Sequence, residues 1–317
     1  MKLAISACLN GENCTFSASN NNDEFIRKYL NKHFEFFHFC PEVNILGAPR
    51  ETVRLVNFEG NIRVISNKNS IDFTDQLVSE SQKIIEQIKH NNDICGVILK
   101  SKSPTCGMER VKVYMPSGIP DIKPDMGILT KELKKYFPLL PIEENNRLID
   151  PWLRENFVMQ IYAYNDFELF KNNNPSMGKL VEFHTSYKYL IMSKSNEAYK
   201  RLGNIVANRD KLPFEKVLES YEVEFKVTID TKSSIKKTIN VLEHCYGYIK
   251  NDISDVEKES FFESLDNFRD KLVPLILPLS ILQMFINKHN CIYLKNQKFF
   301  SPYPKDLALR SNINSLK

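Results

Sequence analysis

No stretch of the 317-residue chain approaches the roughly 18 consecutive apolar residues of a membrane-spanning helix. The N-terminus, MKLAISACLNG, carries no secretory signal either, because its apolar stretch is too short and turns polar too soon. Both absences point to the cytoplasm. No two cysteines stand in C-x-x-C spacing, and the seven present (Cys8, Cys14, Cys40, Cys95, Cys106, Cys245 and Cys291) form an odd, scattered set. That excludes a disulfide framework and leaves reduced thiols available to a metal. The sequence has no internal repeat, coiled coil or long low-complexity segment, and the asparagines at 20–22 are a loop signal. An excess of one charge is also nearly missing. The formal net charge is +4, with 20 basic and 20 acidic side chains over residues 1–165 against 23 and 19 over residues 166–317. An isoelectric point of about 8.5 lies below that of a typical nucleic-acid-binding domain, so charge alone supports a polyanionic partner only weakly.

What is present suffices for two globular domains: 42% of the residues are hydrophobic and 26% charged. The first half alternates short β-rich runs with helical segments, the pattern of an α/β domain on a Rossmann-like, mainly parallel sheet. Strands are expected over residues 2–7, 34–39 and 94–99. Phe73, Leu77, Ile84, Ile85 and Ile88 recur at helical spacing behind a capping Asp72, which predicts a crossover helix over 72–90. Pro116, Pro120, Pro124, Pro138 and Pro141 then break the chain. A helix is expected from Asp150-Pro151, with proline in its first turn, to about Phe170, and KNNNPSMG after it reads as a linker. Beyond, helical spacing of apolar residues over 180–193, 214–225, 235–249, 256–268 and 275–286 predicts an all-α domain. The expected organisation is an α/β catalytic domain over 1–165, a linker over 166–178 and a helical domain over 179–317.

Cys8, Cys40 and Cys106 each follow an expected strand. In an open parallel sheet the carboxyl ends of the strands share one rim, where ligand sites form, so thiols 32 and 66 residues apart can converge there. Against this stands the ordinary role of free cysteine as a small buried hydrophobe. An all-thiolate set suits zinc, copper(I) or an iron-sulfur cluster, and three ligands rather than four leave a position open for substrate. Cys14 is close enough to Cys8 to compete as a ligand but lacks the strand-end placement. Cys95, Cys245 and Cys291 read as core.

The segments ISACLNGEN, FCPEVNILGAPRETVRL and GVILKSKSPTCG resemble the signature blocks of the thiouracil desulfidase family. RLIDPWLRENFV, LVEFHTSYKYLIMS, INVLEHCYGYIK, VPLILPLSIL and SPYPKDLALR resemble the YbgA-like domain that follows it in some bacterial proteins. The resemblance implies a 4Fe-4S cluster on Cys8, Cys40 and Cys106, with Glu42 and Ser103 as acid/base and substrate-positioning groups. It implies a substrate that is a thiolated nucleobase, in two-domain members the 4-thiouridine of tRNA. Glu42 also reads as a helix N-terminal carboxylate after Pro41, and Ser103 as a turn-closing residue. Where the family has an Arg-Tyr-Asp-Gly-like turn, this chain has Thr15-Phe16-Ser17-Ala18, so the family's substrate contacts do not carry over to this turn.

Candidate RNA-binding residues are Arg50 and Lys102 in the first domain and His184 and Lys188, four apart on one helix, in the second. Tyr187 or Tyr248 is placed to stack on an unpaired base. Asn240 and His244 fit a polar pair that fixes helix packing.

Overall fold

The computed structural model describes residues 1–91, 93–307 and 309, so Ala308 and Arg310 of the SPYPKDLALR segment lie outside the described residues. The chain forms two compact units, Met1–Leu153 and Arg154–Lys317. No helix among the described residues is long and apolar enough to cross a membrane.

In the first unit β1 (Lys2–Ser6) is buried on both faces, as a central parallel strand must be. After it come α1 (Glu24–Lys28), capped by Asp23, then β2 (Glu35–Phe39) and α2 (Pro41–Leu46). The chain next makes a hairpin, β3 (Val53–Phe58) and β4 (Asn61–Ser66). Its two-residue turn places Glu59 at φ 52° and Gly60 at φ 95°, the left-handed pair that matches the twist of a hairpin. Helix α3 (Thr74–His90) buries Leu77, Ile84, Ile85 and Ile88 as the periodicity requires. Asp72 accepts the Thr74 N–H at 2.9 Å, so it caps the helix from two residues back. Strand β5 (Ile94–Leu99) is fully buried, and β6 (Val113–Tyr114), α4 (Ile128–Tyr136) and β7 (Ile142–Glu144) complete the unit.

Sheet order is β2-β1-β5-β7 with every neighbour parallel, the mainly parallel sheet that was expected. A second, mixed sheet of order β4-β3-β6 was not foreseen. β3 and β4 are six residues each and β6 only two. In the parallel sheet Ser6 pairs with Phe39 and Leu99 with Glu144, so the loops after β1, β2 and β5 leave from one rim. The chain steps from β1 to β2 on one side and to β5 on the other, which makes this rim a topological switch point.

The second unit is helical, as expected. Helix α5 (Pro151–Asn172) starts at proline, with Asp150 accepting the Trp152 and Leu153 N–H groups. It is followed by α6 (Met177–Lys194), α7 (Asn196–Ala207), α8 (Phe214–Asp230), α9 (Ile235–Tyr246), α10 (Asp255–Arg269), α11 (Ile276–Lys288) and the short α12 (Ile292–Lys295). The stretch read as an inter-domain linker, 166–178, lies inside this unit. Phe167 is a fully buried core residue of α5, and only the asparagine-proline turn 173–176 separates α5 from α6. Asparagine, proline and serine signal a helix break, but composition does not say whether the break separates domains or neighbouring helices.

Candidate active site

Four of the seven cysteines, Cys8, Cys14, Cys40 and Cys106, line one pocket of about 520 Å3 at the switch-point rim. Cys8 sits in the single 3-10 turn Ala7–Asn10 that continues β1 and is closed by Gly11 at φ 94°. Cys40 precedes α2 with extended backbone, and its thiol points at the Cys14 carbonyl, 3.8 Å away. Cys106 is in the loop after β5, and α4 fixes that loop. The Ile128 and Leu129 N–H groups donate to the Pro104 and Thr105 carbonyls at 3.2 and 3.0 Å. The Thr130 hydroxyl donates to the Cys106 carbonyl at 2.8 Å. A helix N-terminus, whose first N–H groups have no partner within the helix, thus clamps the Cys106 loop.

The thiols differ electrostatically. Cys14 is hydrogen-bonded to both Cys40 and Cys8, which pushes its own thiol up and holds the other two below their ordinary value. One S–H serves only one acceptor at a time, so Cys8 and Cys40 compete for it. Burial pushes the Cys106 thiol well up, opposed by a hydrogen bond with Ser6. Among the described residues no three Cys, His, Asp or Glu side chains already surround a point where a single ion would sit. A lone zinc draws its thiolates to about 2.3 Å of one centre, whereas an iron-sulfur cluster divides its cysteines among separate irons. Four soft thiols without a histidine on the pocket wall suit the cluster.

Glu42 and Ser103, 61 residues apart, meet at the pocket wall. The Ser103 hydroxyl donates to Glu42 Oε1 at 3.1 Å while accepting the Thr105 and Cys106 N–H groups at 3.1 and 3.0 Å. The turn-closing role of Ser103 and its contact with Glu42 therefore coexist in one hydroxyl. Arg50 donates to Glu42 Oε2 at 2.8 Å and to the Cys14 and Gly47 carbonyls at 3.0 and 3.1 Å. Its side chain is only 6% exposed, so Arg50 braces the pocket instead of presenting charge to RNA at the surface. Lys102, by contrast, is exposed at the pocket lip, with φ 61°. The divergent turn supplies a wall of its own: Thr15, Phe16, Ser17 and Ser19 line the pocket, and Phe16 is 54% exposed. Val53, Lys102 and Pro104 are shared with an adjoining hollow of about 410 Å3 lined also by Arg54, Arg110, Lys112 and Tyr114, and no carboxylate among the described residues lines it. The Arg54 Nε is buried there without a hydrogen-bond partner.

Residues 3–145 match the 2-thiouracil desulfurase family, and residues 188–304 match a protein family of unknown function, DUF1722. The first unit carries a 2-thiouracil desulfurase domain. It is fused here to a YbgA-like domain. The uncharacterized protein YbgA of Escherichia coli (strain K12) is 23% identical over 157 residues, spanning 49% of this chain and 93% of its own. The solved [4Fe-4S]-dependent thiouracil desulfidase TudS is 19% identical, over 47% of this chain and 93% of its own, with a TM-score of 0.38. In the desulfurase domain the matched region contains every thiol of the pocket together with Glu42, Arg50 and Ser103.

In the YbgA-like unit the structure separates the residues that helical spacing had grouped. Tyr187 is buried and donates to Asp166 at 2.7 Å, so it cannot stack on a base. His184 packs parallel to Tyr199 and bonds Tyr221 at 3.2 Å; burial, then Lys188, lowers its pKa to about 4, so it is neutral at physiological pH and offers no cation to phosphate. His184 is thus a packing residue. His244, expected to pack with Asn240, is exposed. Tyr248 is 48% exposed and stacks on Tyr293 at 5.2 Å, with the Lys188 ammonium 5.8 Å from the Tyr293 ring. Sequence reasoning kept Cys14 only as a reserve and named Lys102 but not the basic hollow it shares with Arg54, Arg110 and Lys112, whose residues come from β3, the β5–β6 segment and the hairpin's far end.

Proposed function

We propose that this protein is a tRNA 4-thiouridine desulfidase that removes sulfur hydrolytically, giving uridine and sulfide, with a 4Fe-4S cluster held by Cys8, Cys40 and Cys106. The observation that carries the reading is the Glu42–Ser103 hydrogen bond on the wall of the cysteine-lined pocket. Thiols alone would suit a structural or electron-transfer centre; a braced carboxylate and hydroxyl beside them suit acid/base work on a bound molecule.

When bound, the cluster supplies a soft Lewis-acidic iron for a thiocarbonyl sulfur. The protein's own groups do the rest. Glu42 accepts a proton from the water whose oxygen bonds to the thiocarbonyl carbon. The electron pair of the breaking C–S bond leaves with sulfur, and protons restore hydrogen sulfide, so no net electron transfer occurs. Arg50 holds the second Glu42 oxygen and keeps the carboxylate from turning away. Ser103 donates to the pyrimidine once Glu42 is engaged with water, and Phe16 offers a face for the ring to stack on.

The basic hollow beside the pocket favours a substrate carrying phosphate over a free base, because Arg54, Lys102, Arg110 and Lys112 line it and, among the described residues, the one carboxylate paired with them, Glu109 at 3.9 Å from Arg110, is not among the lining residues. In the second unit, Tyr248 with Tyr293 and Lys188 gives an exposed stacking surface beside a cation, which suits an unpaired nucleotide. A free-thiouracil desulfidase is the alternative favoured by the name of the matched family. The discriminating experiment incubates anaerobically reconstituted protein with bulk tRNA, 4-thiouridine monophosphate and free 4-thiouracil, following the near-ultraviolet absorbance of the thiocarbonyl and released sulfide. Sulfide from tRNA ahead of the free base is expected. Sulfide from the free base alone would favour the alternative, and none from any substrate would leave a non-catalytic RNA-binding protein.

A further inference from the structure

Resting on the three-cysteine cluster above, we propose that Cys14 is an exchangeable fourth ligand: it occupies the iron that Cys8, Cys40 and Cys106 leave open and gives way to the substrate's sulfur. Three ligands leave one iron to the substrate, but this pocket holds four thiols. Cys14 is as buried as Cys106, at 6% exposure, lines the same pocket as the other three, and has the Cys40 thiol 3.8 Å from its carbonyl, so it lies within the ligand set and not on its margin. Its backbone is anchored on the pocket side. The Cys14 carbonyl accepts Arg50 at 3.0 Å, and the Cys14 N–H donates to the Glu12 carbonyl at 2.8 Å.

Cys14 is the thiol built to yield. Cys8 and Cys40 extend strands of the parallel sheet, and Cys106 is clamped by α4. Cys14 instead belongs to a surface loop in which Gly11 and Ala18 take left-handed backbone, at φ 94° and 53°. The Thr15–Ser19 turn beyond it is closed by its own hydroxyl contacts and tied to the rest of the unit by one backbone hydrogen bond, from the Arg50 N–H to the Phe16 carbonyl at 2.9 Å. A shift of this loop would withdraw one sulfur while Cys8 and Cys40 stay at their strand ends and Cys106 stays on its clamp.

The exchange balances without an electron. The Cys14 S–H proton leaves to solvent as its sulfur bonds to iron. On substrate entry that bond breaks, the thiocarbonyl sulfur takes the position, and Cys14 recovers a proton from solvent. Between turnovers the labile iron is shielded, which a site with only three thiols cannot do for itself.

The test uses the full-length protein reconstituted anaerobically, as wild type and as the Cys14→Ala and Cys14→Ser variants, with iron and sulfide quantified and folding checked by circular dichroism. Loss of one iron is then followed during exposure to a chelator or to brief air, by electron paramagnetic resonance of the resulting three-iron species. All three proteins are expected to load equally. The Cys14→Ala variant should then lose one iron on the order of 10–100-fold faster, the scale on which a missing contact weakens a metal site. A thiocarbonyl ligand should also protect that variant from iron loss. Equal rates of loss in wild type and variant would overturn the proposal while leaving the three-cysteine cluster standing. A Cys14→Ala protein that loads no iron, beside a Cys106→Ala protein that does, would make Cys14 a permanent ligand and also overturn it. A wild type that binds no iron would remove both this proposal and the reading it rests on.

Discussion

The clamp between α4 and the Cys106 loop can be tested by one methyl group. Gly127 precedes α4 with φ −66° and ψ 155°, a conformation open to any residue, so replacing it incurs no backbone strain. What forbids a side chain is proximity: a Cβ would stand 2.3 Å from the Thr105 carbonyl oxygen, 2.4 Å from its carbon and 2.8 Å from the Cys106 nitrogen. Real Cβ contacts stop near 3.0 Å, and the obstacles are backbone atoms that cannot rotate aside. The loop or the helix start must therefore move by about 0.7 Å, straining the hydrogen bonds that hold Cys106 in register. Overpacking of this kind costs about 1–3 kcal/mol, and displacement of this size can reduce catalysis about 100-fold. Gly127→Ala should lower the unfolding midpoint by roughly 2–12 °C and reduce iron retained after anaerobic reconstitution. Gly203→Ala is the matched control. Its added Cβ meets nothing within 4 Å in the middle of α7, so it should gain about 0.5–1 kcal/mol with unchanged iron. Normal iron content and stability in Gly127→Ala would refute the clamp.

Glu42→Gln keeps the shape of the Arg50 and Ser103 contacts but removes the proton acceptor, so iron content should stay normal while sulfide release falls by about 10²–10⁴-fold; an active variant would exclude Glu42 as the base. If the basic hollow holds phosphate, Arg110→Ala and Lys112→Ala should each reduce the salt dependence of tRNA binding by about one counterion, with free-thiouracil turnover unaffected. Filter binding across a salt series reads this. In the helical unit Lys226, 4% exposed, is paired with Glu168 and Glu222, and Lys226→Met strands Glu168 while Glu222 keeps Lys171 at 2.8 Å, at a cost of about 1–3 kcal/mol, or roughly 2–12 °C in thermal unfolding. His184 gives a pH signature. Burial holds its folded pKa near 4, below the ordinary 6.5, so the unfolded chain binds the proton more readily. Stability from this residue is complete above pH 6.5 and is lost as the pH falls from 6.5 to 4, and urea titrations of His184→Gln should show a shallower loss over that window than wild type.

Local sequence signals determined a good deal. Two-sided apolar runs specified β1 and β5, and the spacing of Leu77, Ile84, Ile85 and Ile88 specified α3. Proline after Asp150 marked the start of α5, and placement after expected strands made Cys8, Cys40 and Cys106 candidates. These follow from interactions within a few residues or from one side chain's reactivity, whereas Glu42 and Ser103 came from the family resemblance. Tertiary structure alone decided the rest. It brought Cys14 into one pocket with Cys8 and Cys40, turned Arg50 inward onto Glu42, and buried Tyr187 while leaving Tyr248 exposed. It also gathered Arg54, Arg110 and Lys112 around one hollow, and placed the 166–178 segment within the helical unit. These outcomes depend on which distant segment packs against a residue. Helical spacing shows that Lys188 and His184 share a face; only the surrounding aromatic rings decide that His184 is neutral and packed. The strand-end thiols could be read as candidates from the chain, whereas the fourth sulfur and the braced carboxylate exist as a site only because the parallel sheet aligns three loops on one rim.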